Sequence, residues 1–243
     1  MYKAKIHYLY HSGFIVETDS NIFIFDYFND ECGGERTLDN GVIPGEVLKT
    51  GKGVYVFASH SHLDHFNPLI FDWKNINPKI EYILSSDIEM EEDYPRCNVI
   101  SEGESIQIKD VTVKAYGSTD IGVSFLVNAD GLSIFHAGDF NWWHWNGESD
   151  RFNCRMERSF KFKIEKLKGE CIDIAFFPVD YRLEDKYSIG GEYFIENLIP
   201  KLFVPMHFGD HPEITRDFYK KVKGCKTQIA VINERGQEIL YWA

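Results

Sequence analysis

Apolar residues along this chain recur in short runs broken by glycine, proline, asparagine and aspartate. Runs rich in Val, Ile, Phe and Tyr predict strands at 3–9, 13–17, 21–26, 54–58, 82–84, 111–115, 122–127, 133–136, 172–177, 202–204 and 228–232, because β-branched and aromatic side chains suit a pleated, half-buried surface. Helical spacing is rarer. It appears at 156–168, where Phe160, Ile164 and Leu167 share a face, at 191–198, and at 212–222, where Pro212 suits a first turn. The alternation gives an α/β chain, but periodicity does not separate one α/β arrangement from another.

The composition, 44% hydrophobic and 15% aromatic over 243 residues, supplies a large core and suits a single domain spanning 1–243. No linker, repeat or low-complexity segment interrupts it. A formal charge of −12 argues against nucleic acid as partner, since affinity for phosphate chains rests on clustered Lys and Arg. No apolar stretch approaches the ~18 residues of a membrane span, and the N-terminal stretch lacks a signal-peptide core. Cysteines at 32, 97, 154, 171 and 225 form no C-x-x-C pair, so reduced thiols and a cytoplasmic location are expected. A small-molecule substrate is the expected partner, and a homo-oligomer is compatible with everything above.

The chemistry concentrates at SHSHLDH, residues 59–65, directly after the strand-like run at 54–58. Nine histidines occur in the chain, and three of them fall within six positions here. His60 and His62 alternate as the chain leaves the sheet, so both imidazoles can reach one point. Asp64 and His65 follow; a helical turn starting near Leu63 aims them at a second point, with Pro68 limiting that turn. Four such groups on so short a segment exceed what one ion takes easily, which favours two. Imidazole and carboxylate suit zinc, manganese or iron, and no cysteine lies nearby to make a purely structural zinc site.

His60-Ser-His62-Leu-Asp64-His65 resembles the H-x-H-x-D-H signature of the metallo-β-lactamase fold hydrolases. Other segments fit in order: residues 6–27 resemble the opening meander of the branch containing L-ascorbate-6-phosphate lactonase, FHAGD at 135–139 resembles the strand-end H-x-G-D, and PMHF at 205–208 the segment bearing the last histidine. The resemblance implies a four-layer αββα sandwich and two divalent ions. His60 and His62 would bind the first, Asp64, His65 and His207 the second, with Asp139 bridging. One element is missing: residues 113–127 contain no histidine where the first ion normally finds its third. Asp120 is the preferred substitute, ahead of Thr119, Ser118 and Tyr116. An oxygen donor there would shift preference towards manganese or iron and leave the first site weak or empty.

Among other residues, His136 is expected to pack in the core and His11 to serve the opening turn. His211 is read as a surface residue, as is Arg182, which with Tyr181 lies where the family places substrate loops. Trp142, Trp143 and Trp145 either cover the core or wall a cleft, with His144 as proton donor. The function expected is hydrolysis of a small, anionic ester, lactone or phosphoester by metal-activated water, with Asp64, Asp139 and His144 as catalytic groups. The alternatives are a non-catalytic metal-binding or sensing protein with a degraded first site, and a di-iron oxidoreductase; the latter usually carries an acidic group in place of His62.

Overall fold

The computed structural model describes residues 3–90 and 94–242. The chain divides into two compact units, Met1–Ile100 with Glu234–Ala243, and Ser101–Asn233. Each is built on one seven-stranded mixed sheet.

The first unit contains β1 (Ala4–Tyr10), β2 (Gly13–Glu17), β3 (Asn21–Phe25), β4 (Gly53–Ala58), β5 (Glu81–Ser85), β6 (Cys97–Ile100) and β14 (Glu238–Tyr241) in the order β14-β1-β2-β3-β4-β5-β6. The meander β1–β3 is antiparallel, whereas β3 to β6 run parallel. Parallel strands covered on both faces need unbroken apolar sequence, which is what NIFIF and VYVFA provide. Val54, Val56 and Ala58 join Ile22, Ile24 and Tyr82 in one core cluster. Phe23 and Phe25 stack on Tyr55 and Phe57. A short helix α1 (Gly45–Leu48) and a 3₁₀ helix, Pro68–Asn75, contribute Leu48, Ile70, Phe71 and Trp73 to the core. The single turn near Leu63 ends at Phe66, before Pro68, and Pro68 itself opens the next helix. Asn67 caps it by accepting the Leu69 amide, and a proline at the first helical position loses no hydrogen bond.

The second unit contains β7 (Ser105–Ile108), β8 (Val111–Gly117), β9 (Val123–Ala129), β10 (Leu132–His136), β11 (Ile174–Pro178), β12 (Leu202–Met206) and β13 (Gln228–Ile229), in the order β13-β12-β11-β10-β9-β8-β7. Its connectivity repeats that of the first: antiparallel from β7 to β10, then parallel from β10 to β13. Three helices accompany it, α2 (Asp150–Leu167), α3 (Ile189–Leu198) and α4 (Glu213–Lys221). The α2 helix begins six residues before the expected start, because Ser149 caps it by accepting the Phe152 amide. Its Phe160 packs on Phe140 and Phe177, and Phe177 in turn on Phe194 and Phe203.

The strands at 97–100, 105–108 and 238–241 were not expected, and all three are sheet edges. An edge strand packs on one neighbour and keeps polar, exposed positions such as Glu238 and Gln107, so its apolar signal is weak.

Candidate metal centre

In the first unit the groups gather at the C-terminal ends of β3 and β4, where ligands commonly bind in parallel sheets. The end of β3 is held by Asp26, whose amide donates to the Phe57 carbonyl at 2.9 Å. Its carboxylate is completely buried and accepts from the Ser59 amide at 2.7 Å and the Ser59 hydroxyl at 2.6 Å. The same carboxylate accepts from His65 Nδ1 at 2.7 Å.

These contacts assign the imidazole protons. A hydroxyl donates once, and that of Ser59 is committed to Asp26. His60 Nδ1, 3.0 Å from the hydroxyl oxygen, must then be the donor. Both His60 and His65 therefore carry the proton on Nδ1 and the electron pair on Nε2, the tautomer of a metal-bound histidine backed by a carboxylate. His60 Nε2 lies 3.1 Å from His62 Nδ1. The loop is held further by Asp87, which accepts the Ser61 amide at 2.8 Å, and by amides of His65 and Phe66 that both donate to the His62 carbonyl. That single turn is the one expected near Leu63. His11, in the β1–β2 turn, sets its Nε2 3.5 Å from Asp64 Oδ2, and this contact holds the Asp64 carboxyl well below the usual carboxylate range.

In the second unit Asp139, Asp180 and His207 follow the parallel strands β10, β11 and β12. His207 Nδ1 meets Asp180 Oδ2 at 2.9 Å, while its Nε2 faces Asp139 Oδ1 at 3.1 Å. Burial pushes the Asp180 carboxyl up, but hydrogen bonds from His207 and Arg182 outweigh it and bring it down to about 2. Arg182 reaches both Asp180 oxygens through Nε and Nη2. It is thus a partner of Asp180 as well as a half-exposed side chain. Trp143 donates from Nε1 to the Asp139 carbonyl at 2.8 Å and sets its ring edge-on to His207 at 5.3 Å.

This donor set fits a metal. With Nδ1 bonded to Asp180, His207 Nε2 and Asp139 Oδ1 are both electron-pair atoms unless a proton or an ion stands between them, and His60 Nε2 likewise turns an electron pair towards His62 Nδ1. Ligand atoms about 2.1 Å from one ion lie roughly 3.0–3.4 Å apart in octahedral or tetrahedral arrangement, and both pairs stand at 3.1 Å.

The remaining expected residues take distinct places. Asp120 is exposed, its carboxylate accepts the neighbouring Ile121 amide at 3.0 Å, and it belongs to no group of three metal-capable side chains among the described residues. Thr119 instead binds the segment after Asp139, donating to the Asn141 carbonyl at 2.6 Å and accepting its amide at 3.0 Å. Tyr116 donates to Glu170. His136 is buried, its Nδ1 accepting the Gly138 amide. The tryptophans divide: Trp143 and Trp145 stack in parallel at 6.1 Å, whereas Trp142 packs on Phe160 and Tyr193. His144 between them is half-buried. His211 is on the surface, against Tyr181 and Glu213. Sequence reasoning missed Asp26, Asp180 and the placement of His11. The available signal was an aspartate ending an apolar run, as in FIFD at 23–26 and FPVD at 177–180.

No protein-family model matches the sequence. It is similar to a UPF0173 metal-dependent hydrolase of Heliobacterium modesticaldum, 28% identical over 185 residues that cover 67% of this chain and 68% of the relative. Another, from Thermococcus kodakarensis, is 24% identical and covers 97% and 99%. The metallo-β-lactamase fold protein YhfI of Bacillus subtilis superposes with a TM-score of 0.62 at 14% identity, covering 99% of this chain and 100% of that one. This likeness shows the metallo-β-lactamase fold that the motifs implied. The lactonase-like branch does not figure in it.

Proposed function

We propose that the chain is a metal-dependent hydrolase in which His60, His62, Asp64, His65, Asp139 and His207 hold divalent metal. The relatives named as metal-dependent hydrolases support the class. The observation that carries the reading is that His65 and His207 each have Nδ1 held by a fully buried aspartate, Asp26 and Asp180. A buried carboxylate that fixes a histidine tautomer raises the basicity of the opposite nitrogen and orients it as a ligand.

A divalent ion so held would supply Lewis acidity, polarising a scissile carbonyl or phosphoryl group and acidifying water. The chain's own residues do the rest. Asp26 sets two histidines at once, His65 directly and His60 through Ser59. Asp64 and Asp139 would take a proton from the attacking water or return it to the leaving group. Trp143 covers one edge of His207 and excludes water there. His144 is assigned to deliver a proton to the leaving group. Leu63, 86% exposed between His62 and Asp64, offers apolar surface to a substrate. The cationic centre favours a small anionic ester, lactone or phosphoester despite the acidic surface, and oxygen-rich coordination would admit manganese or iron beside zinc.

The test is metal content after purification without chelator, beside turnover of a lactone and a phosphodiester. Bound metal that His207→Ala abolishes together with turnover supports the reading. Less than about a tenth of an equivalent in metal-supplemented wild-type protein overturns it. His144→Gln should lower turnover about 10²–10⁴-fold at unchanged metal content; a loss under about threefold removes His144 from the chemistry.

A further inference from the structure

His11 occupies an unusual position. Its backbone has φ 55, in the left-handed region, and its amide donates to the Tyr8 hydroxyl at 2.8 Å. The β1–β2 register shifts between Tyr8 and Tyr10, and such a bulge re-aims the side chain beside it. A turn that needs positive φ is filled most cheaply by glycine or asparagine. The histidine ring is largely buried, packing edge-on to Phe28 at 6.2 Å and edge-on to His65 at 5.6 Å. Eight non-glycine residues among those described have positive φ, and three of them, His11, Asp26 and His207, belong to the candidate groups. Backbone strain of this kind persists where the surrounding structure enforces it and concentrates at functional sites.

The distances fit coordination. One ligand atom each from His11, Asp64 and His65 lies within 4.8 Å of the others. His11 Nε2 and Asp64 Oδ2 stand 3.5 Å apart, close to the edge of about 3.4 Å between two ligands of a tetrahedral ion. At 3.5 Å a direct hydrogen bond between them is long. We infer that His11 is a metal ligand, binding the same ion as Asp64 and His65, an inference that rests on the proposed metal centre. It places on the opening turn a ligand that the resemblance to known hydrolases assigned to none of its motifs, in a chain that lacks one of the expected histidines.

The experiment compares wild type, His11→Gly and His11→Gln, using zinc(II) alone as probe, with chelator competition for affinity and X-ray absorption to count imidazole ligands. Glycine suits φ 55, which offsets part of the loss of the buried ring and its packing on Phe28, so the metal-free glycine variant should stay folded and melt cooperatively. Its zinc affinity should fall tenfold or more, with one imidazole fewer per bound ion set. Glutamine can still donate to Asp64 but brings no imidazole, so it too should lose that signal. Wild-type affinity and imidazole count in His11→Gly overturn the inference while leaving the metal centre standing. Full affinity in His11→Gln with an unchanged imidazole count overturns it as well, because His11 would then only orient Asp64. Wild-type protein that binds no zinc overturns this inference, and wild-type protein that binds none of zinc, manganese and iron overturns the proposed function as well.

Discussion

At the scale of single residues, two buried aspartates fix the orientation of the proposed metal-binding histidines His65 and His207. Asp26 accepts three hydrogen bonds, and Asp180 accepts from His207 and from Arg182. Replacing either by Asn keeps the size but removes the charge that fixes the histidine proton. Metal affinity should fall about 10–100-fold in each variant, measured by chelator competition. Asp120→Ala should retain wild-type metal content, since its carboxylate serves only its own loop; a loss equal to that of His207→Ala would make it a full ligand. A different residue sets an alkaline limit. Burial pushes the Cys97 thiol from 9.0 up to about 11. Its neutral form is favoured by folding, so its contribution is complete below about pH 9 and is lost as pH rises towards 11. Melting temperature should therefore decline over that interval, and less steeply in Cys97→Ala. Iodoacetamide near pH 8 should modify the exposed Cys154 and Cys171 well before Cys97.

Arg235 shows how one side chain binds elements distant in sequence. Its guanidinium donates to the carbonyls of Leu9 at 2.6 Å, Asn29 and Glu31 at 2.8 Å, and Gly41 at 3.1 Å. It ties the end of β1 and the loop after β3 to the segment leading into β14. Lysine offers one compact point of charge and cannot reproduce a planar fork of donors. Arg235→Lys should cost about 2–4 kcal/mol and expose residues 29–41 to limited proteolysis, read by melting and peptide mapping. Gly41→Ala should act on the same junction. Its φ is 68, and an added Cβ would meet the Arg235 side chain at 2.4 Å. A wild-type digestion pattern in both variants would show that the loop is held by other means.

For the whole molecule, metal and folding are linked. An ion that binds only the folded chain stabilises it by about 2.7 kcal/mol when present at a hundred times its Kd. For a chain of 243 residues this is a rise of about 5–10 °C in melting temperature. Adding chelator should remove the rise in wild type. In His207→Ala the metal-dependent shift should be much smaller, on top of a chelated melting temperature below that of chelated wild type, because the buried Asp180 loses a hydrogen-bond partner.

Each sheet combines an antiparallel meander with parallel strands, and this division separates what local sequence determines from what tertiary structure decides. The strands of the sheet interiors were legible because covered strands demand unbroken apolar runs, as at 21–26, 54–58 and 172–177. The helices at 156–168 and 212–222 were legible because one face is apolar. Three of the four edges were not: CNVI, SIQI and EILY carry their pairing in backbone hydrogen bonds, which any side chains permit. The same distinction holds for the centre. His60, His62, Asp64 and His65 stand together in the chain, so their chemistry was readable from spacing. Asp26 lies 39 positions from His65, and Asp180 lies 27 from His207; only the parallel pairing of β3 with β4, and of β11 with β12, brings each carboxylate to its imidazole. His11 belongs with Asp64 because a bulged turn carries it there. The sequence alone determined which segment offers donors for a metal, while tertiary structure decided which carboxylates set their protons, since proton position depends on contacts that no local pattern encodes.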